Sequence, residues 1–166
     1  MTFNHLVLIG GGHTNVLLLN KWLMCPKLMP EIPVSIISRD SHLVYSAIFP
    51  SVLSKSITLE KSVIDIKSLA TNAKVSFIEE EVKDIDFNLK KIILSNRPSV
   101  NYSKLVLNYG SQTIIPKEFE SLVKNRNAFS IKPFLRAYDS ILKEDIYDSF
   151  NAVSYTHLTL PTIYSV

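Results

Sequence analysis

The strongest constraint on the fold is a change of hydrophobic pattern at three consecutive glycines near the N-terminus. Residues 5–9 form a short apolar run, typical of a strand that is buried on both faces. After the glycines at 10–12, apolar residues recur every three or four positions in His13–Met24, which predicts a helix. Prolines prevent this helix from continuing, and Val34–Ser38 reads as a second buried strand. The order strand, turn, helix, strand predicts a βαβ unit with two parallel strands.

The glycine turn has the spacing of a dinucleotide-binding loop. Gly10 and Gly12 occupy the first two glycine positions of GxGxxG, and Asn15 stands at the third. In such loops the first glycine allows a tight turn, the second lets a diphosphate approach the backbone, and the helix amides attract its charge. We expect Asn15 to make the helix cross the strand less closely without removing the anion site. The alternative is a glycine-rich corner without a ligand, and the βαβ context favours the binding loop.

The end of the second predicted strand is unusual for such a site. A carboxylate commonly stands there to accept hydrogen bonds from the adenosine ribose, whereas this chain has Ser38, Arg39 and Asp40. Ser38 can bind a ribose hydroxyl, and Arg39 can stack on adenine or reach a phosphate. The alternative is a solvated strand end followed by a turn. His13, in the first turn of the helix, is either a donor to the diphosphate or an exposed residue.

The rest of the chain changes from helical to strand patterns. Residues 39–59 have no firm period and are predicted as a loop followed by a short helix. Residues 88–91 resemble a hairpin turn between antiparallel strands. The other predicted elements are a helical piece at 65–70 and strands at 74–78, 80–87, 92–95 and 102–108.

Composition excludes several functions. The chain has 18 Lys and Arg against 15 Asp and Glu, a net charge of +3, and its basic residues are scattered rather than clustered as in a nucleic-acid binder. Its apolar runs are shorter than the ~18 residues that a membrane span needs, which predicts a soluble, cytoplasmic protein. Cys25 is the single cysteine, so an internal disulfide, a CxxC pair and a cysteine-built zinc site are excluded. Any redox chemistry therefore requires a bound cofactor.

Five segments resemble, in the right order, the FAD-binding part of the pyridine nucleotide-disulfide oxidoreductase superfamily. They are HLVLIGGGHTNV, VSIISRDSHLVYSAIFPSVL, VSFIEEEVKDIDFNLKKIIL, YSKLVLNYGS and NAFSIKP. The nearest branches are the type II NADH dehydrogenase-like flavoproteins and, closer still, the flavoprotein domain fused to selenide, water dikinase. The resemblance implies an α/β fold, a Rossmann-like FAD-binding domain with a parallel sheet and a β-meander, incomplete over residues 1–151.

The resemblance also implies which residues bind FAD. The glycine turn and the helix start would hold the diphosphate, the stretch from Tyr45 would pass the flavin, and residues 81–82 would meet the adenine through backbone groups. Gly110 would be the glycine of close approach to the diphosphate, after Asn108 and Tyr109, which replace a more usual Ala-Thr. The implied FAD-binding residues are Gly10, Gly11, Gly12, His13, Thr14, Asn15, Ser38, Arg39, Tyr45, Ser46, Pro50, Glu81, Val82, Gly110 and Ser111.

No catalytic side chain is assigned, because the thiol-dependent branches need cysteines beside the flavin that this chain lacks. The chain resembles the branches in which NAD(P)H gives hydride to FAD and a quinone or other acceptor reoxidises it. After Pro133 no second GxGxxG for NAD(P)H follows, so we expect the fragment alone to be inactive. For the full-length protein, the resemblance allows two further features: association with a membrane and a fused selenophosphate-synthesising domain. The alternatives are a non-catalytic adenine-dinucleotide module and the start of an NAD-dependent enzyme. Against the second alternative, residues 75–94 are predicted to form a meander and not a further βαβ unit.

The last 15 residues, 152–166, contain no Asp, Glu, Lys or Arg. Their string SYTHLTLPT resembles translated sequencing-adapter read-through. We therefore expect the native sequence to end near Asn151, with 152–166 as a non-native tail.

Overall fold

The computed structural model of the chain describes residues 4–110 and Lys117. Within this part, residues 4–45 and 60–110 form one compact unit, and residues 46–59 belong to a second. The expectations for Ser111, the NAFSIKP segment and the tail at 152–166 fall outside the described residues.

Nine strands and three α-helices make up the described part. The strands are β1 (Leu6–Ile9), β2 (Val34–Ser38), β3 (His42–Val44), β4 (Val63–Asp65), β5 (Ser76–Glu79), β6 (Val82–Asp86), β7 (Lys91–Leu94), β8 (Val100–Asn101) and β9 (Lys104–Leu107). The helices are α1 (His13–Met24), α2 (Phe49–Leu53) and α3 (Ile66–Asn72), and short 3₁₀ turns cover Pro26–Leu28, Ser46–Ile48 and Leu59–Ser62.

The central element is a four-stranded parallel sheet in the order β5-β2-β1-β9. Leu6 of β1 lies between Val34 of β2 and Lys104 of β9 in register. Every residue of β1 and β2 is buried, as their continuous apolar composition predicts for inner parallel strands. The predicted βαβ unit is confirmed, and α1 has the predicted bounds.

The core has two parts, one on each face of the sheet. Because strand side chains alternate between faces, Leu6 and Leu8 pack with the buried sides of α1 and α3, whereas Val7 and Ile9 pack with residues of the β7 and β8 region. Ile92 of β7 is fully buried in this second cluster. Helices therefore cover one face of the parallel sheet, and the antiparallel strands cover the other.

The antiparallel layer is the three-stranded meander β6-β7-β8. We expected the meander to include the strand near Val75, but β5 joins the parallel sheet beside β2. Alternating polarity is the same for an edge strand of a parallel sheet and for a meander strand, so the sequence pattern could not separate them. The small β3-β4 ladder was not predicted, since strands of three residues are too short to show a period.

Candidate dinucleotide-binding site

The glycine turn lies at the carboxyl end of β1, where β2 and β9 end on either side. Gly10 has φ +91°, a conformation that side chains disfavour. Its amide donates to the Ile37 carbonyl over 2.8 Å. A Cβ at Gly10 would also lie 2.6 Å from the Tyr109 Cα. The first glycine is therefore needed both for the turn and for the close approach of the chain that follows β9.

Helix α1 begins at this turn with unsatisfied amides. Its N-cap residue is Gly12, which has no side chain to cap the helix, and its first turn contains no acidic residue. Among residues 4–110, no acceptor bonds the amides of Gly11, His13 or Thr14. Free amides at a helix N-terminus carry partial positive charge and bind anions such as a diphosphate.

Asn108, at the end of β9, fills the space beside Gly12. The Gly12 amide donates to the Asn108 carbonyl over 3.2 Å. A Cβ at Gly12 would lie 2.7 Å from both that carbonyl oxygen and the Asn108 Cγ. Since Gly12 has φ −70°, which any residue adopts, glycine is required here for space. In the structure an asparagine side chain occupies this space, and the approach of a diphosphate to the Gly12 backbone stays a prediction.

Asn15 makes a contact that the usual third glycine could not make. Its side chain is fully buried, and its Nδ2 donates to the carbonyls of Ile9, over 3.2 Å, and of Gly10, over 2.8 Å. The amide side chain thus ties the first turn of α1 to the end of β1. Within the described residues, the Asn15 Oδ1 is the one buried side-chain oxygen or nitrogen without a hydrogen-bond partner.

The end of β2 borders the turn. The Ser38 Oγ lies 3.0 Å from the place of a Cβ on Gly11, and it donates to the Asp40 carbonyl over 2.8 Å. Its lone pairs can still accept a bond from a ribose hydroxyl. Arg39 points to solvent and pairs with the neighbouring Asp40 over 3.2 Å, an exposed contact that contributes little to stability.

Glu79 is a carboxylate at this edge that sequence reasoning missed. It lies in register with Ser38, because β5 pairs with β2 in parallel. Parallel strands end at the same edge of a sheet, and neighbouring strands are about 4.8 Å apart. The carboxylate expected at the end of β2 thus has a counterpart on the next strand. Only the pairing of β5 could have revealed it.

His13 and Tyr45 come together although they are 32 positions apart in the sequence. Their ring centroids are 5.1 Å apart and the rings are tilted by 57°. Both side chains are exposed, and the Tyr45 amide is held by the Ser62 carbonyl over 2.8 Å. Two residues predicted to bind the cofactor therefore form one aromatic pair at the start of α1.

Ser46 and Pro50 belong to residues 46–59, the second unit. Ser46 opens a 3₁₀ turn, and Pro50 stands in the first turn of α2, where its carbonyl accepts from the Ser54 amide over 3.0 Å. The short helix expected in this stretch is present. The roles of both residues at the flavin stay predictions.

The backbone of Glu81, predicted to meet adenine, already has partners within the chain. Its amide donates to the Glu80 carboxylate over 3.0 Å, and its carbonyl accepts from the Ser95 amide over 3.0 Å. The bond from the Glu81 amide, with a further one from Asn96, lowers the pKa of Glu80. Val82 lies at a bulge of the β6-β7 ladder. An adenine acceptor at the Glu81 amide would have to displace the Glu80 carboxylate.

Gly110 has φ +37°, and no atom of residues 4–108 lies within 4 Å of the place of a Cβ. The open space on that side is compatible with the close approach of a ligand.

Across the described part of the chain, no helix is long and apolar enough to cross a membrane, and no group of three metal-binding side chains occurs.

These features fit a dinucleotide: amides at the helix start that no acceptor in residues 4–110 bonds, for its diphosphate, and a serine with a neighbouring carboxylate for its ribose. The architecture is that of a Rossmann-like FAD-binding domain, with the glycine turn at the carboxyl edge of a four-stranded parallel sheet.

Solved structures of oxidoreductases share this fold. The sulfide:quinone oxidoreductase of the hyperthermophilic bacterium Aquifex aeolicus matches with a TM-score of 0.61 and 22% identity, over 71% of this chain and 27% of that chain. NDH2 of Plasmodium falciparum, solved with NADH, matches with a TM-score of 0.54 and 17% identity, over 68% and 23%. A ferredoxin reductase of Rhodopseudomonas palustris matches with a TM-score of 0.55 and 17% identity, over 69% and 28%.

This chain therefore spans less than a third of the length of these neighbours. No family model matches the sequence, and no curated protein matches it. At these identities the similarity shows the fold alone.

Proposed function

We propose that this chain is the FAD-binding portion of an NAD(P)H-dependent flavoprotein oxidoreductase. The observation that carries the proposal is that no acceptor in the described part of the chain bonds the amides of Gly11, His13 and Thr14, which lie at the glycine turn of a Rossmann-like sheet. The fold neighbours support it, since one is named for sulfide and quinone and another was solved with NADH.

Different residues of the chain bind different parts of the dinucleotide. The three free amides hold the diphosphate, Ser38 and Glu79 accept from the ribose hydroxyls, and the pair of His13 and Tyr45 offers an aromatic surface beside the amides. When bound, FAD supplies hydride and electron transfer on its own ring system. The chain contributes binding and orientation, and we assign it no catalytic side chain.

In this proposal the hydride donor and the acceptor are partners of the full-length protein. We take NAD(P)H as the donor and a quinone or another acceptor as the oxidant, by the sequence resemblance and by the kinds of reaction in the neighbours' names. A fused selenophosphate-synthesising domain rests on the sequence resemblance alone and has no support among these structures.

One substitution tests the role of a single amide. Proline is tolerated at the first helical position, and Gly12, with ψ 169°, already has the extended conformation that a following proline requires. His13→Pro therefore removes one free amide and keeps α1, and His13→Ala is the matched control for loss of the imidazole. Loss of a hydrogen bond to a charged phosphate costs about 1.5–3 kcal/mol, so we expect His13→Pro to weaken FAD binding roughly 10- to 100-fold relative to His13→Ala.

The measurement uses the purified 166-residue chain. Retention of FAD near one equivalent, seen in the visible flavin absorbance, supports the proposal, and fluorescence titration gives the dissociation constants of the variants. A colourless chain that binds NAD but not FAD would contradict the flavoprotein and favour a non-catalytic dinucleotide module. Equal FAD affinity of the proline and alanine variants would remove the His13 amide from the site.

A further inference from the structure

The side chain of Asn108 belongs to the same helix end as the free amides. Its residue lies just after β9, where its amide donates to the Ile9 carbonyl over 2.8 Å and its carbonyl accepts from Gly12. These two backbone bonds fix Asn108 between the end of β1 and the start of α1. Neither bond depends on the chemistry of the side chain, which is free to serve another purpose.

The carboxamide of Asn108 has two differently used ends. Its Oδ1 accepts a long hydrogen bond, 3.5 Å, from the Asn15 amide and lies close to the place that a Cβ on Gly12 would take. Its Nδ2 has no acceptor among residues 4–110, and it is not one of the buried unpartnered atoms, so it reaches solvent. The acceptor end thus faces the helix, and the two donor hydrogens face away from it.

We propose that Asn108 is a further diphosphate-binding residue, whose Nδ2 donates to a phosphate oxygen held at the amides of Gly11, His13 and Thr14. The inference rests on the proposed function, since it needs a dinucleotide at the glycine turn. The helix amide of Asn15 holds the carboxamide in the orientation that presents its donors.

An asparagine suits this place better than an aspartate when a phosphate must bind. A carboxylate would accept more strongly from the helix amides and would interact favourably with the helix dipole. The same carboxylate would have no donor for the phosphate and would repel its charge. An amide therefore gives up some helix stabilisation and keeps the site open to an anion.

The test is Asn108→Asp in the full chain, with stability and binding measured separately. We expect urea unfolding of the ligand-free protein to show equal or greater stability, while the dissociation constant for FAD rises roughly 10- to 100-fold. Since the new charge by itself repels a phosphate, the loss of the donor is judged from Asn108→Ala, which adds no charge and should also weaken FAD binding relative to wild type. ADP, which carries the same diphosphate, serves as a second probe and should lose affinity as well.

Asn20→Asp is the matched control. Asn20 is exposed on α1, seven residues after His13 and about 10 Å along the helix by its rise per residue. Asn20→Asp adds the same charge to α1 but away from its first turn, and we expect less than a 3-fold change in FAD affinity because an exposed charge at that distance is largely screened. Asn108→Ala, which removes donor and acceptor together, should weaken both helix stability and FAD binding.

The outcomes separate the inference from the proposed function. If His13→Pro weakens FAD binding and Asn108→Asp leaves it at the level of Asn20→Asp, the inference is overturned and the proposed function stands. If the wild-type chain binds neither FAD nor ADP, both are overturned. Whether or not Asn108→Asp folds, an FAD affinity of Asn108→Ala equal to wild type overturns the inference.

Discussion

Replacing Gly12 by alanine tests why a glycine stands at the second position of the turn. The sequence pattern assigns the space beside Gly12 to a ligand, in which case Gly12→Ala should weaken binding and leave the ligand-free protein unaffected. The structure places Asn108 in that space, with its Cγ and its carbonyl oxygen each 2.7 Å from the position of the new Cβ. Gly12→Ala should therefore destabilise the chain even without a ligand.

The size of the effect follows from this geometry. Contacts of 2.7 Å are far inside van der Waals distance, and they involve a backbone carbonyl that the Gly12 and Ile9 hydrogen bonds hold in place. Because φ at Gly12 is −70°, no backbone strain is added. Forcing one extra carbon into a packed place costs about 1–3 kcal/mol.

Asn108→Ala provides the internal check. It removes the Cγ and Oδ1 contacts and leaves the carbonyl contact, so Gly12→Ala should cost less in that background, with a coupling of about 0.5–1.5 kcal/mol. The assay is urea unfolding of the ligand-free chain, followed by far-ultraviolet circular dichroism, for both single variants and the double variant. Gly110→Ala is the control, since its Cβ would meet no atom of residues 4–108 within 4 Å. Its cost, about 1–2 kcal/mol from positive φ, should not depend on Asn108.

An unfolding free energy of ligand-free Gly12→Ala equal to that of wild type would refute this reasoning. It would mean that the space beside Gly12 is available to a ligand, as the glycine pattern alone implies. Equal costs of Gly12→Ala in the wild-type and Asn108→Ala backgrounds would instead show that the side chain of Asn108 is not what the new Cβ meets.

Two further predictions concern the residues around the turn. Asn15→Asp keeps the shape of the side chain but replaces its donor to the carbonyls of Ile9 and Gly10 by a buried acceptor. The free energy of unfolding, measured by urea titration, should therefore fall by about 3–5 kcal/mol. An unchanged urea midpoint would contradict the two hydrogen bonds. Asp65 caps α3, and the bonds from the Ser68 hydroxyl and amide lower its pKa. The ionised Asp65 carboxylate should contribute fully to the free energy of unfolding above the unfolded-state pKa of about 4, and this contribution should be lost as pH falls through the lower folded pKa. Asp65→Asn should therefore make thermal unfolding depend less on pH in this acid range. An acid profile equal to that of wild type would contradict the cap.

Much of the fold could be predicted from local patterns. The bounds of α1 and the strands β1 and β2 follow from hydrophobic period, proline positions and buried-type composition. The helical piece after Asp65 and the hairpin between β6 and β7 also follow from local pattern. The third strand of the meander, Val100–Asn101, was missed because two residues carry no period.

The candidate site was predictable in part. The glycine turn and the helix start are contiguous in sequence, so their spacing was enough to propose an anion site. Glu79 beside Ser38 was not predictable, because it depends on which strand pairs with β2. The hydrogen bonds that occupy the Glu81 backbone depend in the same way on the Glu80 carboxylate and on the partner strand.

The sequence by itself determined the βαβ unit and the place of the glycine turn, because strand burial, helical period and the conformational freedom of glycine are properties of neighbouring residues. Only the tertiary structure decided what the glycines make room for. Asn108 reaches Asn15 across 93 positions of sequence, and it does so because β9 pairs with β1 and ends at the same edge of the sheet. No local pattern contains that pairing, which places Asn108 against the second glycine and makes a glycine necessary there even without a ligand.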